Sequence, residues 1–126
     1  MIRVLVVDDH PVLRAGLEAV LRAEPGFVCV GTAPDGEGLV AMTARHRPDV
    51  VVLDLVLGDE DGMELCAALR SEPRAPEVVI YTATTAAGLE ALAHDAGARA
   101  VIEKGADLDR LFDALRLAAR AGRAAA

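Results

Sequence analysis

Aromatic side chains are nearly missing from this sequence, which has one Tyr, two Phe and no Trp among 126 residues. Its core must therefore be assembled from Val, Leu, Ile and Ala, a composition that favours β-branched strands covered by Leu/Ala helices. Cysteine is scarce as well. Cys29 and Cys66 have neither the spacing of a metal-ligand set nor the number of a disulfide framework, so they read as free thiols buried among apolar residues. Positive charge is in deficit, with 13 Lys and Arg against 20 Asp and Glu, a formal net charge of −7. The one basic cluster, Arg110, Arg116, Arg120 and Arg123, has the spacing of a solvated helix face. A nucleic-acid binder needs a basic face that neutralises phosphates and releases counterions, so no direct nucleic acid binding by this chain is expected. No apolar run approaches the roughly 20 residues of a membrane span. The N-terminal segment turns acidic at Asp8, too early for a signal peptide. A cytoplasmic protein without membrane contact is the expectation.

What the sequence does contain is a regular alternation. Short apolar runs at Ile2–Val7, Phe27–Ala33, Val50–Leu53, Val78–Tyr81 and Ala100–Ile102 are rich in Val and bounded by turn residues. They read as strands, and those apolar on both faces belong inside a parallel sheet. Helical stripes lie between them. Leu13, Leu17, Val20 and Leu21 form the first, behind a first-turn Pro11. Leu39, Val40 and Thr43 follow a Pro34-Asp35-Gly36 turn. Leu65, Cys66 and Leu69 precede Pro73. Leu89, Leu92, Ala93 and Ala96 make a weaker stripe, and Leu108, Leu111, Phe112 and Leu115 a strong one that leads into an Ala-rich tail.

Strand and helix thus alternate five times with short connections. Right-handed crossovers turn such a chain into one α/β domain, an open parallel sheet with helices on both faces. With five strands the common arrangement is the flavodoxin-like (βα)5 fold, doubly wound in the order 2-1-3-4-5. Its crevice opens at the carboxyl ends of strands 1 and 3.

The residues at those strand ends are a biased set. Strand 1 ends in Asp8-Asp9, strand 3 in Asp54, strand 4 in Thr82, and strand 5 in Glu103-Lys104. Three converging carboxylates cannot all stay ionised and unpaired, so either one is protonated or a cation settles among them. Hard oxygen donors with room for water and a substrate phosphate suit Mg²⁺. The ammonium of Lys104 and the hydroxyl of Thr82 add donors for an anion. A carboxylate can itself be the nucleophile, giving an aspartyl phosphate. Asp54, at the end of a central strand, is best placed for that, and Asp8 and Asp9 for holding the metal. His10 reads as the flank of the first helix, Asp59 and Glu60 as a solvated loop, and Glu103 as solvated.

Val6-Val-Asp-Asp-His-Pro11, Asp49-Val-Val-Val-Leu-Asp54-Leu, Asp61-Gly62, Tyr81-Thr-Ala83 and Gly97-Ala-Arg99 with Lys104 resemble the motifs of response-regulator receiver domains of two-component systems. The likeness runs in one register over residues 2 to 119. The Asp-Asp-His-Pro opening is most similar to receivers that precede a LuxR-type helix-turn-helix output domain. The resemblance implies a receiver domain over residues 1–120, with 121–126 as the start of a linker or a disordered tail. It implies a phosphoprotein switch rather than an enzyme, with at most self-phosphorylation and self-dephosphorylation at Asp54. A sensor histidine kinase would supply the phosphoryl group. Asp8, Asp9, Asp54 and the backbone carbonyl of Val56 would hold Mg²⁺. Thr82 and Lys104 would contact the phosphoryl oxygens, and small Ala83 would leave the approach open. Dimerisation through the fourth helix, fifth strand and fifth helix, or an output domain regulating transcription, would read the switch.

Two positions depart from the pattern. Gly58 stands where receivers usually have Pro, which implies a looser loop after Asp54. Val101 stands where they normally carry the Tyr or Phe whose rotamer accompanies switching. That second departure motivates an alternative, a receiver-like interaction module that works without phosphorylation. Aspartate-nucleophile phosphatases and flavoproteins on the same fold fit poorly. The first want Asp-x-Asp after strand 1, and the second a Ser/Thr/Gly-rich loop there.

Overall fold

The computed structural model describes residues 1–84 and 86–125. In chain order the elements are β1 (Ile2–Val7), α1 (Pro11–Ala23), β2 (Phe27–Ala33), α2 (Gly36–His46), β3 (Val50–Leu53), β4 (Val56–Leu57), β5 (Glu60–Asp61), α3 (Gly62–Arg70), β6 (Glu77–Thr82), α4 (Leu89–Asp95), β7 (Ala100–Glu103) and α5 (Leu108–Ala125). Five strands form one sheet in the order β2-β1-β3-β6-β7, every pairing parallel. This is the expected 2-1-3-4-5 winding. Two strands of two residues each, β4 and β5, are additional to the expected five and pair antiparallel as a separate hairpin. Strands this short carry no periodicity to read.

The central strands are buried on both sides, which is why their sequences are continuous rather than alternating runs. One face packs Val4, Val6, Val50, Val52 and Tyr81 against Leu17 and Leu21 of α1 and Leu111, Phe112 and Leu115 of α5. The other packs Leu5, Val7, Val51, Leu53 and Ile80 against Leu39 of α2, Cys66 and Leu69 of α3 and Ala93 of α4. The few aromatics are concentrated on the first face, where the rings of Phe27 and Phe112 are 5.5 Å apart and the Arg116 guanidinium lies 5.0 Å over Phe27. Arg116 also reaches Glu24 at 3.4 Å, so it is a packed residue and not one more member of a solvated face. Cys66 is buried and Cys29 half-buried, both as free thiols.

Local chemistry sets the helix starts near the crevice. Pro11 occupies the first turn of α1. The Asp35 carboxylate accepts from Gly38 N–H at the start of α2, and Asp61 does the same for Met63 N–H at the start of α3. Glu60 is more than a solvated loop residue, because its carboxylate accepts from Gly36 N–H at 3.0 Å and ties the hairpin to α2. Gly62 has a steric role: a Cβ there would overlap the Asp54 carbonyl oxygen. Helix α5 continues through Ala125, so residues 121–125 are helical where the start of a linker or a disordered tail was expected over 121–126, and Ala126 lies outside the described residues.

Candidate functional site

The two strands that carry the acidic residues, β1 and β3, end in step, and β6 and β7 run two residues further. Val7 pairs with both Ala33 and Leu53. The ladder runs one residue further, as Asp8 N–H donates to the Ala33 carbonyl and Asp54 N–H to the Val7 carbonyl, both at 3.1 Å. Across the neighbouring pair, Lys104 N–H donates to the Thr82 carbonyl at 2.8 Å. Register alone therefore delivers Asp8, Asp54, Thr82 and Lys104 to one edge of the sheet.

There the side chains converge. Asp8 and Asp54 are only 2% and 4% exposed. The Lys104 ammonium bridges them, 2.8 Å from Asp8 Oδ2 and 2.9 Å from Asp54 Oδ2. Asp54 Oδ1 accepts a long hydrogen bond from Val56 N–H at 3.3 Å. Thr82 is buried beside the cluster, and its hydroxyl oxygen accepts from Thr84 N–H at 3.2 Å. Ala83 and Val56 are exposed at the rim.

Three contacts went unread in the sequence. The Nδ1 of His10 lies 3.1 Å from both Asp8 Oδ1 and Asp9 Oδ1, so His10 is part of the cluster as well as the residue ahead of α1. Its hydrogen-bond alignment is to Asp8 alone. Arg14, one turn into α1, donates from Nη1 to the Asp8 carbonyl at 2.7 Å. Gly58 N–H donates to Asp9 Oδ2 at 2.9 Å, so the loop that glycine was expected to loosen is tied to the pocket. His10 and Arg14 follow an Asp-Asp pair at helix spacing, a signal too common to single them out. The Gly58 contact spans 49 residues and leaves no sequence mark.

Asp8, Asp9 and Asp54 set three carboxylates against one ammonium, which leaves a formal excess of two negative charges. Burial pulls the Lys104 ammonium towards losing its proton. Hydrogen bonds and charge from Asp8 and Asp54 outweigh that, so its pKa ends above the ordinary lysine value. One oxygen of the set, Asp9 Oδ1, is buried without a hydrogen bond among the described residues, with only the unaligned His10 contact at 3.1 Å noted above. Donor atoms of Asp8, Asp9, His10 and Asp54 lie within 4.8 Å of one another. Clustered carboxylate oxygens with one unsatisfied member fit a small hard cation such as Mg²⁺, while the imidazole nitrogen is the least suitable donor for it.

An open parallel sheet of this order, with an acidic pocket and a lysine at the carboxyl ends of its central strands, defines a class of α/β domain built around the switch point of its topology. Within that class the family model described as response regulator receiver domain matches residues 4–116, and the chain belongs to that family. It is 33% identical over 120 residues to the transcriptional regulatory protein LiaR of Bacillus subtilis, covering 95% of this chain and 57% of LiaR. It is 43% identical over 105 residues to protein-glutamate methylesterase/protein-glutamine glutaminase 2 of Anaeromyxobacter dehalogenans, covering 82% of this chain and 30% of that protein. Among solved structures, a LuxR-family two-component response regulator from Aurantimonas sp. SI85-9A1 superposes with a TM-score of 0.87 at 28% identity, covering 94% of this chain and 85% of that one. The likeness to LuxR-family receivers matches the Asp-Asp-His-Pro opening. The chain spans little more than half of LiaR and under a third of the methylesterase. Among the described residues no helix is long and apolar enough to cross a membrane.

Proposed function

We propose that this receiver domain is a phosphorylation-dependent switch in which Asp54 accepts a phosphoryl group from a sensor histidine kinase. The observation that carries the reading is the position of Asp54, buried at the end of β3 with Lys104 Nζ 2.9 Å from its Oδ2. In the transfer, an Asp54 carboxylate oxygen forms a bond to phosphorus as the phosphorus–nitrogen bond of a phosphohistidine breaks, and the imidazole leaves with its electron pair. Lys104 exchanges a carboxylate oxygen for a phosphoryl oxygen. The Thr82 hydroxyl gives up its contact with Thr84 and donates to the same group. Asp8, Asp9, Asp54 and the Val56 carbonyl would hold Mg²⁺, which supplies charge neutralisation for the entering phosphoryl group. Release requires water to attack phosphorus past the exposed Val56 and Thr84, returning Asp54 and inorganic phosphate.

The outcome of switching would be dimerisation through α4, β7 and α5 or control of an output domain, with transcription the favoured output given the LuxR-family likeness. Incubation with acetyl phosphate or beryllofluoride and Mg²⁺ tests the acceptor. Intact mass or amide NMR should report modification in the wild type and none in Asp54→Asn. An unmodified wild type would remove the reading.

Val101 favours a second reading, a module that binds partners without phosphorylation. It is half-buried beside a hollow of about 310 Å³ between α4 and β7, also lined by Ala93, His94 and Arg99. An aliphatic side chain at that position has no ring to swing between inward and outward states. Partner binding or dimerisation unchanged in Asp54→Ala would favour it.

A further inference from the structure

The β4–β5 hairpin reverses direction between Leu57 and Glu60, and Gly58 in that turn has φ +62, a conformation costly for most L-residues. That conformation aims the Gly58 N–H back at the acidic pocket, where it donates to Asp9 Oδ2 at 2.9 Å. Asp9 lies 49 residues earlier, and its side chain is 31% exposed. A carboxylate on a loop that open would rotate if nothing held it. The two oxygens of Asp9 are in different states: Oδ2 is occupied by the glycine, and Oδ1, with His10 Nδ1 3.1 Å away, is buried without a hydrogen bond among the described residues. The hairpin is itself anchored, by Glu60 accepting from Gly36 N–H at 3.0 Å and by Gly62 N–H donating to the Leu55 carbonyl at 2.7 Å. Among the described residues no atom beyond its chain neighbours lies within 4 Å of a Cβ built on Gly58, so the position demands a backbone conformation and an N–H rather than a small volume.

We propose that Gly58 is a positioning residue for the cation site: its N–H clamps one oxygen of Asp9 so that the other is presented, pre-oriented, to Mg²⁺. This rests on the Mg²⁺ reading given above and adds a chain-specific element to it. A proline here would have no N–H to donate and a φ fixed near −65°, so the clamp exists only because this position is not proline. The metal affinity of the pocket is thereby coupled to the conformation of a surface turn.

Magnesium titration followed by amide NMR, on the wild type, Gly58→Pro, Gly58→Val and Gly58→Asn, tests the clamp. Asn keeps the N–H and tolerates a positive φ. Val keeps the N–H but resists that φ, and Pro loses both. Gly58→Asn should bind Mg²⁺ within about twofold of the wild type, since its clamp survives. Val and Pro should bind at least about tenfold more weakly, the range for losing a partner that orients a metal ligand. Gly58→Asn should keep the wild-type metal-free thermal midpoint, while Val and Pro should melt somewhat lower because φ +62 is costly for them. Amide spectra recorded before metal is added show that the fold is kept. Equal Mg²⁺ affinity in the wild type, Val and Pro variants would overturn the clamp and leave the cation site standing. A wild type whose Asp8, Asp9 and Asp54 amides do not respond to Mg²⁺ would overturn the cation site itself. If one variant fails to fold, the other two still rank the clamp.

Discussion

The molecule buries a carboxylate at each end of its central strands, and the two are handled in opposite ways. At the carboxyl ends, Asp54 is 4% exposed and shares the single Lys104 ammonium with Asp8, with Asp9 beside them. At the amino ends, Glu77 is 5% exposed and has two guanidinium groups to itself, Arg99 at 2.8 Å and Arg70 at 3.5 Å. One site has more acid than base, and among the described residues each site holds one buried polar atom without a hydrogen bond, Asp9 Oδ1 at the first, with His10 Nδ1 3.1 Å away, and Arg70 Nε at the second. The other has more base than acid and fastens α3, β6 and the segment before β7 together. Gly122 of α5 packs against the Glu77 side chain, so the last helix rests on the same lock. Burial of a charge is therefore not what separates a site from a strut. The balance of its partners is. An anion with surplus cations is finished, and an anion cluster short of cations is open to a ligand.

The largest test of that contrast removes each carboxylate in turn. Glu77→Ala should cost about 3 kcal/mol in urea unfolding, the low end for breaking a buried ion pair, because Arg99 is 44% exposed and rehydrates. Asp54→Asn should cost nothing and can gain up to about 1 kcal/mol without metal, since it relieves like charges sharing one ammonium. Equal losses in the two variants would erase the distinction.

Removing the cation sharpens it next. Lys104→Met strands Asp8 and Asp54 and should lose about 2 kcal/mol at neutral pH, the worth of hydrogen bonds to charged groups. The Lys104 pKa is raised in the folded protein above the ordinary 10.5, so its contribution is fully present below that pH. It is lost as pH climbs through the folded value. The stability gap between wild type and Lys104→Met should stay constant from neutral pH to about pH 10 and close above it. A gap that widened in alkali would reverse the assignment.

How much of this was legible beforehand depended on the range over which each feature is encoded. The sheet was readable because strands buried on both faces must be apolar at every position, as Val50–Leu53 is. The pocket was readable because parallel strands in register end together, so Asp8, Asp54, Thr82 and Lys104 had to share an edge once the winding order was known. The Glu77 lock was not readable. A glutamate ahead of Val78 looks like the polar boundary of a strand, and its partners lie seven and 22 residues away on other elements. Gly58 was noticed only as a missing proline. What mattered was the direction of its N–H, which depends on a left-handed turn inside a hairpin too short to have a pattern.

The smallest effect expected is the one that asks whether the two ends are independent. Glu77 pairs with Val50 across β3 and β6, and Asp54 follows four residues later, about 13 Å along the strand at about 3.3 Å per residue. At that separation the free-energy effects of changes at the two ends should add to within about 0.5 kcal/mol. If Mg²⁺ binds the folded pocket as proposed, and not the dispersed carboxylates of the unfolded chain, ten times its dissociation constant should stabilise the wild type by about 1.4 kcal/mol. Glu77→Ala should keep that increment in full, despite its much lower starting stability. Asp54→Asn should lose most of it, despite being at least as stable as the wild type. Loss of the increment in Glu77→Ala would mean that the lock at the amino ends holds the pocket in shape. The division into a finished strut and an open site would then give way to a single coupled network running the length of β3 and β6.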